Sequence, residues 1–585
     1  MGFSKKSTTT ADLVKQLLAK LIQLADQVIK AVDEGNLSFK QECLVVKSKI
    51  EKLASLLRQA ATSSSILNER PARRIIGDTE QVLEKAPALV LKCKVNGLMK
   101  RVFSIVPSVA FRKMSSHLEN SIDDVSWLLR VFAPTEEGGY EYLGLPPIAS
   151  NEPILCLIWE QIAILHNGSV YDRSDVAASL VSLVRDNDRN RKLIIEEGGV
   201  GPLLKLIKEG KKEGQENAAK AIGLLGRDAE SVDVMIHAGV CSIFAKILKE
   251  GPMKVQVVVA WAVSELVSKN PKCQDVFAEH DIVRLLVSHI AFETVQEHSH
   301  SSRIGNGDTK PSSSYLLENR YSGININEME LEDSESKADM KAMAVKALMF
   351  LAKDNSAICR SLIESSALLC LAILLEKGPE EVKYNSALAL KEITAVTKKD
   401  AELRRSALKS NFPACRVVVN QVIDIIDKED KKFLISCIKV IGSLARTFTK
   451  NEKRIVGSLV QFLNEREDEV SKEAADSLAK IACYNNYLHL YHSKAIISSG
   501  GVTHLVQLLY FGEQSVQQSA LILLSYIALN VPDSEELSRA EVLGVLEWAS
   551  RQPNVTQDET TIALLQEYKC RLELYQSRGS RGFQN

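Results

Sequence analysis

The chain has 585 residues, enough for several domains or for one long repeat array. Hydrophobic residues make up 45% and charged residues 25%, close to globular averages, which excludes a largely disordered chain and a many-span membrane protein. Lysine plus arginine total 73 against 74 acidic residues, so with a net charge of -1 nothing global draws the chain to nucleic acid.

Prolines number 15 and glycines 29, both below average usage, so the expected class is all-α. The opening MGFSKKSTTTADLVKQ has no apolar signal core, and Lys6 stands where an N-myristoylation start wants Ser or Thr. No stretch reaches the roughly 18 apolar residues of a membrane span. From Leu13 to Val32, apolar residues recur at Leu13, Leu17, Leu18, Leu21, Leu24, Ala25, Val28 and Ile29, the spacing of one helix face. Similar runs over 39–61, 75–93 and 115–132 predict a four-helix bundle over residues 11–133. Residues 134–153, PTEEGGYEYLGLPPIASNEP, read as a linker.

Beyond the linker the sequence repeats itself. The phrase AASLVSL ending at Leu183 returns as AKAIGLL ending at Leu225 and AWAVSEL ending at Leu266, about 40 residues apart. A second phrase, EEGGVGPLLKLI from Glu196, recurs as HAGVCSIFAKIL and SSGGVTHLVQLL, with Gly199, Gly239 and Gly500 expected to supply a tight turn. A helical period near 40 is the armadillo or HEAT signature. The apolar frame continues through Leu351, Ile393, Leu444, Ile481 and Ile527, giving about eight repeats over 154–553, an armadillo-type α-solenoid superhelix. The step from Leu266 to Leu351 is doubled, and residues 294–339, rich in Ser, Asn and acid, read as a disordered insertion. Residues 554–585 read as a C-terminal helix and tail.

In an armadillo repeat the third helix lines the concave face, offering Trp and Asn to a groove. In this frame the Trp position holds Ala178, Lys220, Trp261, Lys346, Leu388, Lys439, Asp476 and Ile522. The Asn position holds Ser182, Leu224, Glu265, Phe350, Glu392, Ser443, Lys480 and Tyr526. One Trp and no Asn survive, which removes the clamp that an importin-like cargo receptor needs. The candidate partner contacts in the groove are Lys220, Trp261, Glu265, Lys346, Glu392, Lys439 and Lys480, with Trp261 the costliest to expose.

No catalytic or cofactor pattern emerges. The P-loop spacing is absent, the G-x-G of Gly305 and Gly307 lies in the insertion, and no G-x-S-x-G elbow occurs. His489 and His492 lack a third metal ligand nearby, and His298 and His300 sit in the insertion. The 11 cysteines are dispersed, odd in number and without C-x-x-C, and read as free core thiols of a reduced, intracellular chain. The expected protein is non-enzymatic, with no cofactor, metal or small-molecule substrate.

Between Glu84 and Glu119 lie Lys85, Lys92, Lys94, Lys100, Arg101, Arg112 and Lys113 with no acid, interleaved with Leu98, Met99, Phe103, Ile105 and Phe111. Basic charge with apolar side chains suits anionic headgroups, which makes Lys92, Lys94, Lys100, Arg101, Arg112 and Lys113 candidate membrane contacts. The competing reading is a solvated bundle face paired with acids from other helices.

Longer wording is more specific. The runs VKQLLAKLIQLADQVIKA, ERPARRIIGDTEQVLEKA, LVLKCKVNGLMKRVFSIVPSVAFRKM, ENSIDDVSWLLRV, YLGLPPIASNEPILCLIWEQIAIL and IIEEGGVGPLLKLIKEGK closely resemble the plant armadillo-repeat-only proteins across bundle, linker and early repeats. That resemblance implies a non-enzymatic scaffold that associates with plant Rho-type GTPases and their regulators at the plasma membrane in polarised tip growth. It places the chain in the cytoplasm and peripherally at the plasma membrane, with the nucleus as a further compartment. The competing scaffold readings are an armadillo cargo adaptor and a ubiquitin-ligase-related adaptor; the linker has no room for a U-box.

Overall fold

Four long amphipathic helices open the chain: α1 (Thr10–Asp33), α2 (Lys40–Thr62), α3 (Arg70–Lys92) and α4 (Ser108–Val131). The computed structural model describes residues 10–34, 37, 39–62, 70–93, 108–131, 146–292, 294, 331–365, 367–396, 400–402, 408, 413–428, 431–448, 453–552, 562–567 and 570–571. Helix α1 packs on α2 and α3, and α4 on the same two, closing a four-helix bundle. The apolar stripes meet inside it: Leu18, Leu21, Ala25 and Val28 of α1 face Ile50, Leu53 and Leu57 of α2, Leu83 of α3 and Leu118 of α4 in one core. Burying a side chain of that size stabilises by about 1.5–3 kcal/mol, so packing rather than charge holds the bundle. Outside, Lys20 bridges Glu80 and Glu84 at 2.6 and 3.0 Å and Lys49 meets Glu119 at 2.6 Å, where water screens them.

The described residues divide into two compact units, Met1–Leu206 and Ile207–Asn585. In the first, α4 holds the start of the next segment: the Asp124 carboxylate accepts from the backbone N–H of Ile148 at 2.9 Å, in the first turn of the short helix Pro147–Asn151. Arg74 of α3 pairs with Glu196 at 2.9 Å, and the indole of Trp159 donates to Glu197 at 2.8 Å. The Arg74 pair ties the bundle to the helix Asp188–Glu196, and the Trp159 bond ties the end of that helix to the helix Pro153–Asn167; between the two lies α5 (Val170–Val184).

The second unit is a ladder of helices α6 (Lys212–Leu225), α7 (Met253–Lys269), α8 (Ser334–Ala352), α9 (Glu380–Ala395), α10 (Lys431–Leu444), α11 (Asp468–Ala482) and α12 (Gln514–Asn530). Each packs on the next, and pairs of shorter helices flank them, the stacking of an α-solenoid. The frame residues Leu225, Leu266, Leu351, Ile393, Leu444, Ile481 and Ile527 lie one on each rung and are at most 1% exposed.

Buried or half-buried polar side chains recur at repeat spacing where helix ends leave carbonyls unpaired. Gln215, Gln256 and Gln517 each send Nε2 back to a carbonyl of the preceding helix, Ile207, Leu248 and Leu509, at 2.8, 3.1 and 2.9 Å. Asn270 Nδ2 reaches Asp233 at 2.7 Å and the Ala229 carbonyl at 3.3 Å, and Asn486 Nδ2 reaches the Ala445 carbonyl at 3.2 Å, each joining neighbouring repeats.

Three expectations change. The left-handed residue of the first repeat turn is Gly198 (φ 76°), not Gly199; the matching residues later are Gly239 (88°) and Gly500 (84°). Gly199 serves a close approach instead, since a Cβ there would sit 2.7 Å from Ile194 Cγ2. The insertion was expected to run to residue 339, but α8 already begins at Ser334, because the Asp333 side chain caps it by accepting from the Ser336 N–H at 2.7 Å. Residues 295–330 of that segment and 134–145 of the linker lie outside the described residues, as do Gly305, Gly307, His298 and His300. Near the C-terminus, Leu565 is buried and Arg571 donates to the Leu529 carbonyl at 3.1 Å. Phe111 is the third change. The basic run sets it among apolar side chains available to a membrane, yet it is 5% exposed, with its ring 5.9 Å from that of Phe39 in the bundle core.

Candidate functional site: the groove of the helix ladder

Successive rungs place side chains three and four positions apart on one face, so a groove forms wherever large residues flank small ones. Near the end of the ladder this face opens into a pocket of about 620 Å³. Its walls come from Lys391, Glu392 and Ala395 of α9, Lys439 and Ser443 of α10, Glu473, Asp476, Ala479 and Lys480 of α11, and Ile522 and Tyr526 of α12. Arg446, Cys483, Tyr484 and Asn485 close its end. The groove positions of the sequence frame meet here: Glu392, Lys439, Ser443, Asp476, Lys480, Ile522 and Tyr526 all line the one pocket.

Charges in the pocket are largely matched. Lys391 pairs with its neighbour Glu392 at 2.9 Å, and Lys439 reaches across to Glu473 of α11 at 3.2 Å. Small residues let α10 and α11 approach. A methyl group on Gly442 would overlap the hydroxyl of Ser477 and lie 3.2 Å from Lys480 Nζ, which places that ammonium against α10. Tyr484 is 71% exposed at the rim, while burial raises the phenol of Tyr526 above its ordinary range, Cys483 and Tyr484 add to the rise, and the Arg446 guanidinium opposes it.

The remaining candidate contacts lie along earlier rungs. Lys220 is exposed on α6. Lys346 of α8 pairs with Glu265 of α7 at 3.2 Å, both half-buried, although 81 positions separate them. Trp261 is half-buried, and a Cβ on Gly223 of the preceding rung would sit 2.6 Å from its Cζ3, so the indole packs on glycine backbone. Sequence reading missed Arg446, Tyr484 and Gly442. Arg446 and Tyr484 follow the last frame residues of their rungs, Leu444 and Ile481, and the glycine gave no signal until its neighbour was known.

At the bundle, Lys92, Arg112 and Lys113 are exposed, as are Leu91 (57%) and Val109 (59%) beside them. Lys94, Lys100 and Arg101 lie outside the described residues. No single helix among the described residues is long and apolar enough to cross a membrane.

Among the described residues no group of His, Cys, Asp and Glu is arranged to hold a metal ion; His492 is buried, and His489 Nδ1 lies 2.8 Å from the Asn486 carbonyl. Burial pushes the thiols of Cys241, Cys273 and Cys359 up to about 12, the opposite of an activated nucleophile.

Comparison with known proteins names the repeat. Residues 187–227 match the family model of the armadillo/β-catenin-like repeat, and residues 15–133 match one described as a domain of unknown function (DUF7792). No curated protein matches the chain. Among solved structures, an engineered protein aligns with TM-score 0.54 and 19% identity over 77% of this chain and 94% of its own. A chain from work on a phosphorylation switch controlling the interaction between cadherin and β-catenin aligns with TM-score 0.49 and 12% identity, over 71% of this chain and 67% of that one. A computationally designed armadillo repeat protein for modular peptide recognition aligns with TM-score 0.37 and 17% identity, over 48% and 98%. The first of these likenesses shows a shared α-solenoid, and the repeat match makes it armadillo-type: a bundle of four helices followed by a fold whose extended faces ordinarily bind proteins.

Proposed function

We propose that the protein is a non-enzymatic scaffold whose ladder groove holds an extended segment of a protein partner. The observation that carries this reading is the pocket of about 620 Å³ to which four successive rungs contribute side chains. A groove of that kind presents several independent contacts along one strand of peptide, which is how solenoids obtain affinity from individually modest interactions.

The wording shared with the plant armadillo-repeat-only proteins supports a finer assignment. The partners are Rho-type small GTPases and their regulators, the place is the cytoplasm and the inner surface of the plasma membrane, and the process is polarised tip growth. The exposed Lys92, Arg112 and Lys113, with Leu91 and Val109, support a weak, salt-sensitive contact of the bundle with anionic lipid. A pull-down with GTP-loaded and GDP-loaded plant Rho proteins tests the partner: capture that depends on nucleotide state is expected, and no capture in either state removes the assignment. Flotation with phosphoinositide-containing liposomes tests the contact, which charge reversal at Lys92, Arg112 and Lys113 is expected to abolish.

A further inference from the structure

Four cationic and three acidic side chains line the pocket, and the pairing among them is uneven. Two cations, Lys391 and Lys439, already hold carboxylates. Arg446 has no ion pair among the described residues and sits in the turn Ala445–Thr447 that ends α10, half-buried at the pocket wall. Lys480 places its ammonium beside Gly442, four positions before Arg446 along the chain, and both cations line the one pocket. The half-buried Tyr526 lines the same pocket as the guanidinium, and Tyr484 stands exposed at the rim.

A half-buried guanidinium without a carboxylate is an open recognition position, since its planar fork matches a carboxylate in two hydrogen bonds. We infer that Arg446, assisted by Lys480 and the Tyr526 hydroxyl, forms a subsite for a single carboxylate side chain of the bound segment, with an apolar or aromatic neighbour resting on Tyr484 and Ile522. The inference rests on the groove reading above and specifies its chemistry. One unmatched positive charge fits one carboxylate. A phosphoryl group would bring a second negative charge toward Asp476, Glu473 and Glu392 on the same walls, where like charges repel. A basic segment would meet the guanidinium directly.

The test is selection of a random 12-residue phage-displayed library on the full chain, followed by anisotropy with labelled synthetic peptides. Recovered peptides are expected to be enriched in Asp or Glu beside an aromatic residue. Replacing that acid by Gln is expected to weaken binding roughly tenfold, the range of a charge-assisted hydrogen bond. Arg446→Ala is expected to erase the acid-to-Gln difference and Arg446→Lys to restore part of it, while the Gln peptide binds all three proteins alike. A difference that survives Arg446→Ala, or a phosphoserine peptide that binds tighter than its Glu counterpart, overturns the inference. The groove reading fails separately. Peptides lost on Ala395→Trp or Tyr484→Ala but showing no acid preference leave the groove in place and remove the subsite. Peptides indifferent to both substitutions, or none recovered, remove groove and subsite together.

Discussion

Ser477 is fully buried between α10 and α11, where its hydroxyl donates to the Ile438 carbonyl at 3.0 Å and leaves Gly442 no room for a side chain. Gly442→Ala therefore overpacks a closed contact and is expected to destabilise the second unit by about 1–3 kcal/mol in urea unfolding. Gly457, inside the helix Lys453–Gln461, has open space where a Cβ would go. Gly457→Ala is expected to stabilise by about 0.5–1 kcal/mol, because alanine loses less chain entropy in a helix. Equal signs for the two substitutions would contradict this reading of the rungs. Neither outcome is legible in the sequence, where both residues are simply glycines in helical text. The neighbour that distinguishes them lies about 35 positions away, one repeat on.

Single elements carry opposite responses to pH. Asp124, at the joint of α4 and helix Pro147–Asn151, has its carboxyl raised to about 6, first by burial, with the Ile148 N–H opposing and Asp78 and Asp123 adding to the rise. Its folded form holds a proton that the unfolded chain releases near pH 4, so stability of the first unit falls as pH rises from about 4 to 6, and the cost is full above that. Asp124→Asn keeps an oxygen for the Ile148 N–H and is expected to stabilise the first unit by about 1–2 kcal/mol at pH 7.5. His289 behaves conversely. Burial lowers its imidazole to about 4 while Nε2 sits 2.8 Å from the Leu248 carbonyl, so the unfolded chain takes up a proton first, and stability of the second unit is lost as pH falls from about 6.5 to 4. Hydrogen exchange followed by mass spectrometry reads the two units separately. Slopes of the same sign in both, or an Asp124→Asn chain no more protected than wild type, would contradict these assignments. Asn270 joins neighbouring repeats through Asp233 and the Ala229 carbonyl, and Asn270→Ala is expected to cost about 1–3 kcal/mol by removing both hydrogen bonds of a buried amide, measured by urea unfolding.

At the scale of the molecule, the all-α class, the bundle and the solenoid are legible because apolar periodicity is a local property: Leu18, Leu21, Ala25 and Val28 announce one helix face wherever the chain goes. The rungs follow from the same logic repeated, with Leu225, Leu266 and Leu351 each buried in its own helix. Contacts between repeats are not local, and apolar periodicity does not encode them. The frame offered Lys346 and Glu265 as separate groove contacts, whereas they face each other across the rungs at 3.2 Å. Phe111 read as membrane-facing because its neighbours are basic, and only the fold shows that its own face turns inward to Phe39. The pocket itself depends on Arg446, which follows the last frame residue of its rung in a turn that no periodicity describes.

The central claim is that partners are held in the ladder groove. A photo-crosslinking residue placed at Tyr484 or Ala395 in the pocket, or at the exposed Lys494 on the flanking helix His489–Ser498, tests it in living cells. The groove account expects the same partner to be trapped from both pocket positions and not from Lys494. Trapping from Lys494 at equal or greater yield, with none from Tyr484 or Ala395, would contradict it.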